Sequence, residues 1–279
     1  MLKIIVDSTT DLTDDFIKEN NIDLISLQVI IDNVSFRDRK EIDVTELFTA
    51  IPENKNVKTS LPNLSDMYDT FKEYAKENKD FVFFTFSKKM SGTYNAATII
   101  INELKEKYNS NMAVIDTKNG GMASALIVKR FMNEINDKMT FDEKVEHAIN
   151  LTNKMRQVFL VNDLSQLKRG GRISSLQSLI GSLIHIKPIL YINDGEIKIH
   201  KNTIGTKRAL KELINYTEKH VSDKNKTIGM SYVMNLKILE DTKKALNDAG
   251  YNNIITERLA SVMAAHIGLD AVSINFFLD

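Results

Sequence analysis

Cysteine is absent from this chain of 279 residues, which excludes disulfides, thiolate metal sites and cysteine nucleophiles. A surplus of either charge is also absent: Lys plus Arg and Asp plus Glu both total 37. The basic excess of most nucleic-acid binders is therefore missing, and no nucleic-acid partner is expected. No window approaches the ~20 consecutive apolar residues of a membrane-spanning helix, so no stable membrane insertion is expected. The first apolar run, 2–6, is cut off by Asp7 and is too short for the core of a signal peptide; a cytoplasmic protein is expected. Nothing matches the phosphate-binding loop G-x-x-x-x-G-K-[ST] or the G-x-S-x-G elbow of common serine hydrolases. The five histidines, His147, His185, His200, His220 and His266, form no metal-ligand spacing, so neither a metal nor a cofactor is expected.

What is present is an ordinary globular composition, 43% hydrophobic and 27% charged, in a chain long enough for a large core in two domains or one. The N-terminal half alternates strand-like segments at 2–6, 24–31, 81–86 and 112–116 with helix-like ones such as 64–79, where Met67, Phe71, Tyr74 and Ala75 keep a 3.6-residue period. Short, almost wholly apolar strands separated by helices predict a parallel sheet covered on both faces. Ligands of such sheets sit beyond the C-terminal strand ends. Three polar turns fall there: 7–11, 87–93 and 116–121.

The second half differs. Tyr191 to Ile199 around Asp194-Gly195 predicts a hairpin, and Leu210, Leu213, Ile214 and Thr217 mark an amphipathic helix over 207–220. Further strands are expected at 227–233, 253–257 and 272–277, and a helix at 236–249. The fold class is α/β in two domains: residues 1–155 as a Rossmann-like unit with a parallel sheet, and 156–279 as an α+β unit with a mixed sheet.

Ser91-Gly92-Thr93-Tyr94 follows an apolar strand and precedes a helical run, which places a hydroxyl, a glycine and free N–H groups at one helix N-terminus. Such a terminus attracts phosphate or carboxylate oxygens. Asp7-Ser8-Thr9-Thr10-Asp11 follows the first strand, but aspartyl-phosphate enzymes need an acid where Thr9 stands. The segment reads as a structural turn or as a binding turn. Lys168-Arg169-Gly170-Gly171-Arg172-Ile173-Ser174 is either an anion-binding or docking loop, or a solvated basic turn leading into a helix over 175–185. Taken alone, His266 in its apolar segment reads first as a core histidine, and Thr59-Ser60-Leu61-Pro62 as a turn before a helix.

In their shared order these segments resemble the DegV family of bacterial fatty-acid-binding proteins. The resemblance rests on Asp7 to Leu12, Thr59-Ser60-x-Pro62, Ser91 to Tyr94, Asp116-Thr117, Leu164-x-x-Leu167-x-x-Gly170-Gly171-Arg172-Ile173, Lys187 to Leu190, and His266-x-Gly268. It implies a lipid-binding protein without catalysis of its own. Such a protein holds a long-chain fatty acid with its carboxylate buried and presents it to a separate ATP-dependent, dihydroxyacetone-kinase-like fatty acid kinase, whose acyl phosphate enters phospholipid synthesis. Ser60, Ser91 and His266 match the family's head-group residues, with Thr59 and Thr93 beside them; the apolar segment 176–186 is expected to line the tail's tunnel. Lys168, Arg169, Arg172, Lys201, Lys207 and Arg208 are the expected docking cations. Two departures stand out. Gly268-Leu269-Asp270 replaces the family's usual Gly-Pro-Gly, and Ile204 stands where an arginine is frequent. The competing expectation is a self-sufficient phosphotransferase or hydrolase using Asp7 or Ser91. A lipid sensor or store without the kinase contact is a third.

Overall fold

A computed structural model describes residues 2–53, 55–162, 164–173 and 186–279. The chain opens with β1 (Lys3–Asp7), α1 (Asp14–Glu19), β2 (Asp23–Ile25), β3 (Gln28–Ile31), β4 (Val34–Arg37), α2 (Val44–Ala50) and β5 (Val57–Ser60). Next come α3 (Leu64–Lys76), β6 (Phe81–Thr85), α4 (Thr93–Lys105), β7 (Met112–Asp116), α5 (Met122–Glu134) and α6 (Phe141–Lys154). The second half runs β8 (Met155–Leu160), α7 (Ser165–Arg169), β9 (Ile186–Asn193), β10 (Glu196–Ile204), α8 (Thr206–His220) and β11 (Ile228–Tyr232). It ends with α9 (Leu236–Asp248), β12 (Ile254–Arg258), α10 (Ser261–Ile267) and β13 (Val272–Phe277). The fold is α/β, as expected: a parallel sheet in the order β2-β1-β6-β7 stands beside a mixed sheet in the order β10-β9-β8-β13-β11-β12. The helix expected over 175–185 and nearly all of the tunnel wall expected over 176–186 fall outside the described residues.

The parallel sheet shows why its strands are apolar at every position. Ile4, Val6, Val82 and Phe84 face one core with Leu126 and Phe131 of α5 and Leu151 of α6. Their neighbours Ile5, Phe81 and Phe83 face another with Phe71 of α3 and Ile101 of α4. Successive strand residues point to opposite faces, so a sheet covered twice requires apolar residues throughout. The helix starts are written locally as well. Thr13 accepts from the Phe16 N–H, Asn63 from those of Ser65 and Asp66, and Thr140 forms a capping box with Glu143.

One expected strand divides. The run 24–31 becomes β2, which pairs in parallel with β1, and β3, which belongs to a three-stranded antiparallel sheet in the order β4-β3-β5. The break is at Ser26-Leu27, where the Leu27 N–H donates to Ser8 Oγ at 3.1 Å and the Leu27 carbonyl accepts from the Asp38 N–H. An apolar run predicts extended chain; it does not say when the chain changes hydrogen-bonding partners. β5 is the counterpart: Thr59 and Ser60, read from sequence as turn residues, end an edge strand paired with β3.

The hairpin forms around Asp194 (φ 46°) and Gly195 (φ 81°), both in the left-handed region that a two-residue hairpin turn requires. The chain passes into the mixed sheet at the α6–β8 junction, Lys154 to Met155. The three polar turns of the first half meet as expected. Gly121 N–H donates to the Thr9 carbonyl at 2.7 Å, Asp11 N–H to the Gly121 carbonyl, and Ser87 N–H to the Asn119 carbonyl. The core between the sheets joins Leu27 and Val29, Phe159, Leu190 and Ile192, and Val262 and Ala265 of α10. This core holds the cavity described next.

Candidate functional site

A cavity of about 240 Å³ opens within that central core. Its apolar wall includes Leu27, Phe159, Leu167, Ile192, Ile197 and Val262. Thr59, Ser60, Ser91 and His266, four of the five residues expected at a head group, line it together with Arg172. No carboxylate lines the cavity among the described residues, and Arg172 is the one Arg or Lys that does so.

Each polar group is placed by a different element. β5 brings Thr59 and Ser60, and the loop before α4 brings Ser91; Leu61 joins them by packing close to Gly92, where an added Cβ would lie 3.3 Å from its side chain. Ser91 Oγ lies 2.9 Å from Thr93 Oγ1 and accepts from the Thr93 N–H at 3.3 Å. Thr93 is fully buried and absent from the cavity wall, so it positions Ser91 from behind. The next N–H groups of α4, at Tyr94 and Asn95, precede the first intrahelical bond, which begins with Ala96 N–H to the Gly92 carbonyl.

His266 reaches the cavity from α10, a helix packed against α2, α7, β3 and β5. Its Nε2 lies 2.7 Å from Thr59 Oγ1, across 207 positions of sequence. Nδ1 is enclosed and has no hydrogen-bond partner among the described residues. Burial, with the Arg172 charge adding to it, pushes the His266 pKa down to about 4, so the ring is neutral near pH 7. The Leu269-Asp270 departure is held by local contacts. Asp270 accepts from Asn235 Nδ2 at 3.0 Å, the Leu269 carbonyl accepts from the Met234 N–H, and Leu269 packs on the central core.

The paired glycines divide two tasks. Gly171 has φ +70° with nothing within 4 Å of an added Cβ, so it serves the turn. Gly170 has an ordinary φ of −74°, yet an added Cβ would lie 2.1 Å from His266 Nδ1. It is glycine because the imidazole occupies that space. Arg172, grouped by sequence with the docking cations, is turned inward. Its Nε donates to the Met90 carbonyl at 3.2 Å and Nη1 to the Gly170 carbonyl at 2.5 Å, tying the Ser91 loop to the glycine turn. Burial lowers its pKa.

The remaining cations are exposed. Lys168 and Arg169 end α7; Lys201, Lys207 and Arg208 flank the β10–α8 junction beside Ile204, which is 62% exposed. Lys201 is paired with Glu212 at 2.7 Å. No ion pair or hydrogen bond joins the two groups among the described residues.

Asp7 is fully buried, and both its oxygens accept hydrogen bonds. Oδ1 accepts from the Thr9 N–H at 3.1 Å and its hydroxyl at 2.5 Å, and Oδ2 from the Phe86 N–H at 2.7 Å. Burial pushes its pKa up to about 6, against the pull of those bonds. Ser91 pairs with Thr93 and His266 with Thr59, so no base touches the Ser91 hydroxyl among the described residues.

The family whose model matches residues 1–279 is described as "Uncharacterised protein, DegV family". The chain belongs to the DegV family. A DegV domain-containing protein of Clostridium perfringens is 30% identical over 282 residues, covering 99% of this chain and 97% of its own. Among solved structures, a DegV family protein of Thermus thermophilus described by its fatty acid binding aligns with a TM-score of 0.91 and 23% identity, over 100% of this chain and 99% of its own. A stearic-acid-binding protein of Eubacterium ventriosum aligns with a TM-score of 0.86 and 23% identity, over 100% and 98%. The DegV fold is therefore shared along the whole length. No described helix is long and apolar enough to cross a membrane.

Proposed function

We propose that the chain binds a long-chain fatty acid, carboxylate among Thr59, Ser60, Ser91 and His266, and presents it to a separate ATP-dependent kinase. What carries this reading is the composition of one cavity: an apolar wall, a cluster of hydroxyls with a neutral imidazole and one arginine, and no acid among the described residues. A buried carboxylate is stable only where its oxygens accept hydrogen bonds. The tail contributes roughly 0.8 kcal/mol for each methylene removed from water.

With His266 neutral, one ring nitrogen carries the proton. Placing it on Nε2 makes the ring donate to Thr59 Oγ1, which frees the Thr59 hydroxyl hydrogen for a ligand oxygen and leaves only an acceptor, Nδ1, unpaired in the interior. The opposite tautomer would bury an unpaired N–H, the costlier orphan. Thr59 and Ser91 thus act as donors, held by His266 and Thr93.

The kinase is of the dihydroxyacetone-kinase-like class, and its acyl phosphate feeds phospholipid synthesis in the cytoplasm. The chain's own role is carriage, divided between residues 1–155 and 156–279. Lys168, Arg169, Lys207 and Arg208 are exposed and serve docking; Arg172 serves the cavity, next to the head group. The self-sufficient enzyme using Asp7 or Ser91 is disfavoured by the complete burial of Asp7 and by the lack of a base on the Ser91 hydroxyl among the described residues.

Native mass spectrometry of the purified protein, followed by denaturation and lipid identification, tests the binding. One fatty acid per chain is expected. A clean apo mass after incubation with mixed fatty acids would refute it. A pull-down with the kinase tests presentation separately.

A further inference from the structure

The described residues hold a second cavity, of about 400 Å³, which meets the first at Ile192. Ile192 lines both. β8 stands between the two: Gln157 and Phe159 line the acyl cavity, whereas Met155 and Arg156, at the start of the strand, line the other. The character of the second cavity is opposite. Its wall carries Lys118, Arg156, Tyr191, Tyr216 and His220, and Asp194 is its one carboxylate among the described residues. Asp194 is already held by two ammonium groups, Lys118 at 2.9 Å and Lys89 at 3.0 Å.

Three observations point to a missing partner. Arg156 forms no ion pair among the described residues; Nη1 alone is engaged, by the carbonyls of Asn153 and Met155 at 2.8 Å. Its charge is felt by Tyr216, where it opposes the rise that burial imposes on the hydroxyl pKa. The Tyr191 and Tyr216 hydroxyls have no hydrogen-bond partner among the described residues, although Tyr216 is 8% exposed and packed 4.4 Å from His220. Thr152, 3% exposed and on the same wall, has a hydroxyl with no partner among the described residues. A buried hydroxyl without a partner, beside two free tyrosine hydroxyls and an arginine with no counter-ion, is unfavourable unless a ligand or solvent satisfies it.

We infer that this cavity is a binding site for a phosphate oxyanion, carried by a small phosphomonoester or by a lipid head group. The donors gathered there, a guanidinium and several hydroxyls beside the Lys118 ammonium that Asp194 and Asn153 already share, exceed the two oxygens of a carboxylate and match a group with three or four. The volume leaves room for an organic substituent beside Ile192 and Met155.

Calorimetric titration with inorganic phosphate, at ionic strength matched with chloride, tests the site, with co-sedimentation on phosphatidylglycerol and phosphatidylcholine vesicles as a second arm. Saturable phosphate binding is expected, weakened about tenfold or more by Arg156→Gln and by Lys118→Gln, which removes a half-buried ammonium and leaves the fold unchanged by circular dichroism. Free phosphate binding supports a soluble phosphomonoester. Selective retention on phosphatidylglycerol, lost in the same variants, supports a head group. Absence of both, or binding indifferent to both substitutions, overturns the inference.

Discussion

Gly170→Ala places one methyl group where His266 now lies. The backbone there has φ −74°, open to any residue, so the substitution carries no conformational strain of its own. The new Cβ would fall 2.1 Å from Nδ1 and 2.9 Å from Cε1, with the Gln166 carbonyl at 3.3 Å behind it. The ring has to move, and moving it lengthens or breaks the 2.7 Å contact with Thr59. Overpacking of this kind costs about 1–3 kcal/mol, and the lost hydrogen bond about 1 kcal/mol. Fatty acid affinity should fall about tenfold or more, since ~1.4 kcal/mol corresponds to one decade. The companion variant Gly171→Ala should do the reverse. Its Cβ meets nothing within 4 Å, but φ is +70°, so it should lose about 1–2 kcal/mol of stability while lipid affinity stays the same. Competition binding with a fluorescent fatty acid, read alongside urea denaturation, separates the two effects. Unchanged lipid affinity in folded Gly170→Ala protein would refute the assignment of His266 to the head group.

Ser91→Ala should leave the fold intact and weaken lipid retention by roughly 1.5–3 kcal/mol, the usual worth of a charge-assisted hydrogen bond, as read by native mass spectrometry. Asp11 is buried with Oδ2 accepting from Ser231 Oγ at 2.8 Å, and burial pushes its pKa up to about 8. The folded state then binds a proton that the unfolded chain releases near 4. Its stabilising contribution is full below that pH and is lost as pH rises towards 8. His266, with its pKa lowered to about 4, acts oppositely between that value and its ordinary 6.5. Urea midpoints should therefore fall between pH 6.5 and 8, and Asp11→Asn should flatten the slope; an equal slope in the variant would contradict this. Gly195→Ala combines φ +81° with a Cβ 2.6 Å from Ser87 Oγ, the hydroxyl that donates to the Gly195 carbonyl at 2.6 Å. It should lower stability by about 1–3 kcal/mol on thermal denaturation, and a melting temperature equal to wild type would argue against the docked hairpin.

The sequence by itself determined the elements whose causes are local. Apolar strands with both faces buried, Thr and Asn caps, the Asp194-Gly195 turn and the amphipathic α8 are all fixed by neighbours within a few positions. The order of its motifs was enough to point to the family. Tertiary structure decided what depends on distant partners. It split the 24–31 run where Leu27 turns to Ser8, and it made an edge strand of Thr59 and Ser60. The same packing gave His266 its partner 207 residues away and turned Arg172 inward, whereas charge alone suggested a surface. Gly170 and Gly171 are identical letters with different physical duties, one yielding space and the other supplying a positive φ. That difference lies in what surrounds each Cα once the chain has folded, and no local pattern carries it.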